Sequence, residues 1–94
     1  MSYKFCRPNA GAAYTQLDTI SGEVDTQISN GTGVVIRFVG PADNQTAAIA
    51  LETAGFYIQM PSVAQAVFSM RLDPSRTWIK AETGGGTLVA HLSW

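Results

Sequence analysis

Apolar, β-branched and aromatic residues recur along this chain in runs of five to eight, punctuated by Gly, Pro, Asn and Asp, and in two of the runs apolar and polar positions alternate clearly. That pattern specifies half-buried β-strands separated by turns. In Ala66-Val67-Phe68-Ser69-Met70-Arg71-Leu72, Phe68, Met70 and Leu72 share one face while Ser69 and Arg71 share the other. Near the end of the chain, Leu88, Ala90, Leu92 and Trp94 alternate in the same way with Val89, His91 and Ser93. Val34-Val35-Ile36-Arg37-Phe38-Val39 is interrupted only by Arg37, which predicts a strand covered on both faces, as at the centre of a sandwich.

Three strand-like runs fill the last third: Gln65–Leu72, Arg76–Glu82 and Thr87–Trp94. Asp73-Pro74-Ser75 between the first two suits a type I turn, and Gly84-Gly85-Gly86 between the last two supplies the positive φ that tight hairpins need. The expectation is a three-stranded meander. Tyr3–Arg7, Tyr14–Ile20 and Glu23–Ile28 read as earlier strands, with Pro8-Asn9-Ala10-Gly11 and Ser21-Gly22 as turns. Thr46–Thr53 has two readings. Its alanines and leucine, with Asp43 or Asn44 before and Gly55 after, suit a short capped helix, but eight residues are few for one and the β surroundings favour a strand. Eight or nine short strands at roughly ten-residue spacing predict an all-β, single-domain antiparallel β-sandwich over residues 1–94, jelly-roll-like or immunoglobulin-like, ending in the meander.

Composition adds a constraint on the surface. Of the 94 residues, 14% are charged and 46% hydrophobic, against about 25% charged in an ordinary soluble domain. Area scaling gives a folded surface of roughly 5,200 Å² for a chain this small, too little interior to hide all the apolar content. Some of the surface is therefore expected to belong to subunit contacts. With a net charge of −1 and no Lys/Arg cluster, nothing collects phosphates, so nucleic acid is not an expected partner. No segment is long and apolar enough to span a membrane, and Met1-Ser2-Tyr3-Lys4-Phe5 does not resemble a signal peptide. Synthesis in the cytoplasm is the expectation, with Cys6 reduced.

The residues offer little for catalysis. One His and one Cys are too few for a metal site of ordinary type, so no metal and no cofactor is expected. A nucleophilic triad would need His91, which sits mid-strand with no nucleophile elbow in the chain, and reads as a strand-surface or interface residue. Cys6 reads as a small buried hydrophobe. Asp18, Glu23, Asp25, Asp43, Glu52, Asp73 and Glu82 are scattered and suit surface turns. The three glycines are followed by a strand, so they do not cradle phosphate. Asn30-Gly31-Thr32 and Asn44-Gln45-Thr46 match the N-glycosylation pattern, but with no secretion signal they read more simply as turn sequences. The balance points away from an enzyme. Phe5, Tyr14, Phe56, Tyr57, Trp78 and Trp94 are the recognition candidates, with core packing and subunit contact favoured over a sugar-stacking platform. Trp94, Trp78 and Phe5 are the candidate interface residues.

Ala54-Gly55-Phe56-Tyr57-Ile58 is similar to the Ala-Gly-x-Tyr approach to a strand in many sandwich domains, where the tyrosine packs inward and bonds backbone through its hydroxyl. As a whole the chain resembles the small all-β virion proteins of tailed bacteriophages, the decoration (cement) and head-fibre type: short, poor in charge and rich in Gly, Thr and Ala. The resemblance implies a non-catalytic virion subunit that assembles with itself, often as a trimer, and decorates or caps a capsid or tail lattice. The alternative is a small carbohydrate-binding, lectin-like module.

Overall fold

A computed structural model describes residues 1–63 and 67–94. Ten strands appear among them: β1 (Tyr3–Cys6), β2 (Asn9–Ala10), β3 (Thr15–Gln16), β4 (Val24–Ser29), β5 (Ile36–Val39), β6 (Ile58–Met60), β7 (Phe68–Leu72), β8 (Trp78–Ala81), β9 (Gly86–Thr87) and β10 (Val89–Ser93). One helix, α1 (Gln45–Thr53), and a single 3-10 turn (Pro74–Arg76) interrupt them. The first sheet has the order β1-β10-β4-β7, the second β3-β8-β5-β6, and β2 and β9 form a small ribbon. All pairings are antiparallel.

The connectivity follows one rule. β1 pairs with β10, β2 with β9, β3 with β8, β4 with β7 and β5 with β6. These are the rungs of one long hairpin whose tip lies between β5 and β6. Rolling that hairpin up brings β10 beside β4 and β8 beside β5, which closes two four-stranded sheets face to face. This is the jelly-roll form of the double-sheet sandwich. The chain is thus an all-β antiparallel sandwich in one compact domain.

Inside, each strand contributes its alternate apolar residues. Ile28, Ile36, Ile79 and Leu88 are fully buried between the sheets, with Phe38, Met60, Leu17 and Ala90 around them. Phe68, Met70 and Leu72 close the core from β7, as their spacing requires. β5 is covered on both faces. Ile36 and Phe38 point into this core, while Val39 joins a second cluster with Tyr14, Ala42 and Ala48 beneath α1.

Two expectations need correction. The last three long strands do not form a meander: β7 and β10 lie in the first sheet, and β8 lies in the second. Pro74 starts a turn that carries the chain across the sandwich, held by Asp73 Oδ1 accepting from the Ser75 amide at 3.0 Å. The glycine run returns it through the ribbon, where Gly86 pairs with Ala10. Alternation fixes which face of a strand is buried but not which neighbour it bonds, so the two topologies look alike in sequence. The strand run Thr87–Trp94 is accordingly split between β9 and β10, and Tyr14–Ile20 shrinks to two residues. Gln65 and Ala66, at the start of the Gln65–Leu72 run, lie outside the described residues.

The second correction is Thr46–Thr53, which is helical. Local capping outweighs the β surroundings. Asn44 Oδ1 accepts from the Ala47 amide at 2.8 Å. At the other end, the Gly55 amide donates to Glu52 and the Phe56 amide to Leu51, with Gly55 at φ 89°. That pair of bonds is a Schellman motif, and it needs a residue free to adopt positive φ.

Gly40 presents a sharper packing limit. A Cβ there would lie 2.7 Å from the Arg76 carbonyl oxygen, a backbone atom that cannot swing aside, whereas a Cβ at Gly31 meets nothing within 4 Å. Gly40→Ala is expected to cost about 2 kcal/mol in denaturant unfolding, and Gly31→Ala no more than about 0.5 kcal/mol. Equal effects would show that the Gly40 contact does not limit the packing.

Candidate functional site

The solvent-accessible surface is 5260 Å², the value expected of an ordinary compact chain of this mass. The shortage of charge therefore shows in what the surface is made of. Three places concentrate chemistry or apolar area.

The first is a polar cluster between α1 and the outer face of the second sheet. Arg37 on β5 and Lys80 on β8 are cross-strand neighbours, and Glu52 near the end of α1 reaches down between them. Glu52 accepts from Lys80 Nζ at 2.9 Å, from Arg37 Nη1 at 3.2 Å and from the Tyr14 hydroxyl. Arg37 also donates through Nε and Nη2 to Glu82 at 3.1 and 2.9 Å, and Gln59 donates to the same carboxylate. The Arg37 guanidinium lies 4.3 Å from the centre of the Tyr57 ring, and Lys80 lies 4.9 Å from that of Tyr14. Two cations and two carboxylates balance.

Hydrogen bonds from Tyr14 and Lys80 hold the Glu52 carboxyl below its usual range, and those from Gln59 and Arg37 do the same for Glu82. Burial, reinforced by the bond to Glu52, pushes the Tyr14 hydroxyl up. Ionised acids and a protonated phenol suit a clamp that ties α1 to the sheet; none of the three is poised to exchange a proton near neutrality. The residues are 14, 37, 52, 59, 80 and 82, too dispersed for any motif to have announced them. Tyr57 also departs from the inward-packing corner implied by its sequence context: the residue is 38% exposed and its ring lies under Arg37, because the Schellman turn ends α1 at the surface of the second sheet.

The second place is a cleft of about 660 Å³ where the free edges of β6 and β7 diverge. Phe38, Met70 and Leu72 line it, with Phe56 and Ile58 at one lip. The charges at its mouth neutralise one another locally: Arg71 meets Asp25 at 3.2 Å and Arg76 meets Asp43 at 2.8 Å. Among the described residues the lining charges balance, Arg71 and Arg76 against Glu23 and Asp73.

The third is the outer face of the first sheet. Tyr3 and Phe5 project from β1 and are 67% and 62% exposed. Phe5 stacks on His91 of β10, its cross-strand partner, with ring centroids 4.6 Å apart, and Tyr3 meets Phe5 edge-on at 6.1 Å. Val89 extends the apolar surface along β10. Across β4 and β7 the same face turns polar, with Asp25, Gln27, Ser69 and Arg71.

The candidate interface residues are thus dispersed. Phe5 is on this outer face. Trp78 is half-buried under α1 with its indole N–H donating to the Ala42 carbonyl at 2.8 Å, so the fold uses it. Trp94 has the opposite parity to His91; its backbone is fixed by two bonds to Ser2, but the residue is 52% exposed. Cys6 packs half-buried against the core, and that burial, with Asp18 nearby, raises its thiol pKa. Asn30 is buried, donating to the Val34 and Met60 carbonyls at 3.0 Å, and Asn44 caps α1. Both asparagines of the glycosylation patterns are committed to backbone. Among the described residues no three His, Cys, Asp or Glu side chains gather around a common point, and no helix is long and apolar enough to cross a membrane.

No protein-family model, curated protein or solved structure matches this chain.

The Glu52 clamp makes a pH prediction. A carboxyl held below its unfolded value of 4.5 adds stability above that pH, and the gain disappears as pH falls through the lower folded value. Glu52→Gln is expected to cost about 1 to 2 kcal/mol at pH 7, and the gap from the wild type should narrow on acidification below about pH 4. Denaturant titrations across that range would show it. A gap independent of pH would mean that Glu52 acts through shape alone.

Proposed function

We propose that this protein is a non-catalytic assembly subunit, of the kind that decorates or caps a virion lattice, and that it contacts its neighbours through the outer face of its first sheet. The observation that carries this reading is the cluster of Tyr3, Phe5, His91 and Val89, apolar and aromatic groups held on two adjacent strands of a rigid sheet. Phe56 and Ile58 beside the cleft are as exposed as Tyr3 and Phe5, but only on β1 and β10 do the exposed rings contact one another on a flat sheet face, and contiguous surface of this kind marks interaction sites. The resemblance to small all-β phage virion proteins supports the same reading. Double-sheet jelly rolls recur in viral capsid domains and in lectins alike, so the fold is compatible with the reading without selecting it.

The partners are then further copies of the chain and a capsid or tail lattice, and the working location is the virion. One observation favours a second reading. The aromatic rings border Gln27, Asp25 and Ser93 on neighbouring strands, and aromatic surface beside hydrogen-bonding groups also suits a carbohydrate.

Particle binding separates the two. The wild-type chain should co-sediment saturably with purified phage heads or tails. A Tyr3→Ser/Val89→Ser variant with unchanged circular dichroism should bind at least about tenfold more weakly, as truncation of a central contact does. Saturable binding on a glycan array without particle binding would reverse the assignment to a lectin-like module. Removing the last three residues would disturb the fold as well as the contact, since Leu92 is fully buried and β10 pairs on both sides.

A further inference from the structure

We infer that the outer edge of β1 pairs with β1 of a second copy, joining two first sheets into one continuous eight-stranded sheet across a twofold axis. This rests on the assembly reading and names the copy-to-copy contact within it.

The backbone supplies the first reason. Ser2 and Trp94 exchange both hydrogen bonds, at 2.7 and 2.9 Å, so they form a closely bonded antiparallel pair. Such pairs alternate with unbonded ones. Lys4–Leu92 and Cys6–Ala90 therefore turn their amides and carbonyls toward β10, and Tyr3 and Phe5 turn theirs away from it. No described residue bonds those two donors and two acceptors. They lie two residues apart on an exposed strand, the spacing that another antiparallel strand matches.

The second reason is that this edge lacks the usual protection. Free edges are normally blunted by shortness, proline or charge. β3 has two residues, β6 has three and is followed by Pro61, and β7 carries Arg71 on its outer face. β1 has four residues and no proline. Its one charge, Lys4, has the parity opposite to Tyr3 and Phe5 and is held by Asp18 at 3.0 Å.

Charge also chooses the register. With Lys4 opposite Lys4 of the second copy, like charges would face each other. With Phe5 opposite Phe5, Lys4 meets Cys6 and Tyr3 meets Arg7. Arg7 is the one Lys or Arg among the described residues without an ion-pair partner, and in this register it can lie over the second copy's Tyr3 ring. A twofold axis at Phe5 makes the contact isologous, the commonest closed symmetry. The area sets the strength. At roughly 200 Å² per aromatic side chain, the exposed parts of Tyr3 and Phe5 offer about 260 Å² per copy, well short of the ~800 Å² per partner of a standard interface. The dimer is accordingly weak, with a Kd in the micromolar range or above.

Sedimentation equilibrium on the full chain, with Cys6 kept reduced, tests this from about 10 μM to about 1 mM. The expected mass rises with concentration from 10.0 kDa toward twice that value. Phe5→Pro removes an amide that points away from β10, and Phe5→Lys instead sets two charges at the twofold axis. Each should weaken the dimer at least about tenfold while circular dichroism stays unchanged, and Trp94→Ala should leave it intact. A dimer that survives both Phe5 substitutions overturns the edge pairing. A wild-type chain still monomeric at about 1 mM overturns it too, and in that case particle binding by the wild type would show that the assembly reading stands without it.

Discussion

The structure depends on one constraint: five nested strand pairings must bring their apolar faces to the same side when the hairpin rolls up. Ile28, Ile36, Ile79, Leu88 and Leu92 are fully buried because every rung keeps its register. A slip of one residue in any strand would turn its whole apolar set outward. The pairings that set this register join distant parts of the chain, β1 with β10 and β4 with β7. Stability is thus shared across the molecule, and topologies of this kind are intrinsically slow to form because loop closure precedes the gain from pairing.

Around that core the remaining features fall into place as consequences. β5 is buried on both sides because α1 crosses the outer face of the second sheet. α1 itself is short and buries only Ala48 fully, so it needs the Glu52 bonds to Tyr14, Arg37 and Lys80 to hold it there. Most of the chain's few charges are used in such local pairs. Little charge is left to solvate the rest of the surface, and apolar area accumulates on the outer face of β1 and β10 and beside the cleft at Phe56 and Ile58.

Strand identity and facing were legible in the sequence because the period of two is a direct imprint of a half-buried sheet. Phe68, Met70 and Leu72 face inward as their spacing requires, and the Val34–Val39 run is covered on both sides. Pairing partners were not legible, since alternation carries no information about neighbours. The helix is marked by its caps, Asn44 and Gly55, and those local bonds outweigh the β-rich context. For the candidate surfaces, residue type alone could not separate Trp78, whose ring the fold consumes, from Phe5, which it leaves outside. The polar cluster had no local signature, because the topology alone brings positions 14, 37, 52 and 82 together.

The central claim is that the aromatic face and free edge at β1 form the contact surface of this protein. Amide spectra of the ¹⁵N-labelled chain, recorded over a dilution series, test it residue by residue. The predicted result is concentration-dependent shifts at Tyr3, Phe5, Arg7, Val89 and His91, with α1 and the buried core unmoved. Shifts confined to Phe56, Ile58 and Leu72 at the opposite cleft would contradict it and place the contact on the other edge of the sandwich.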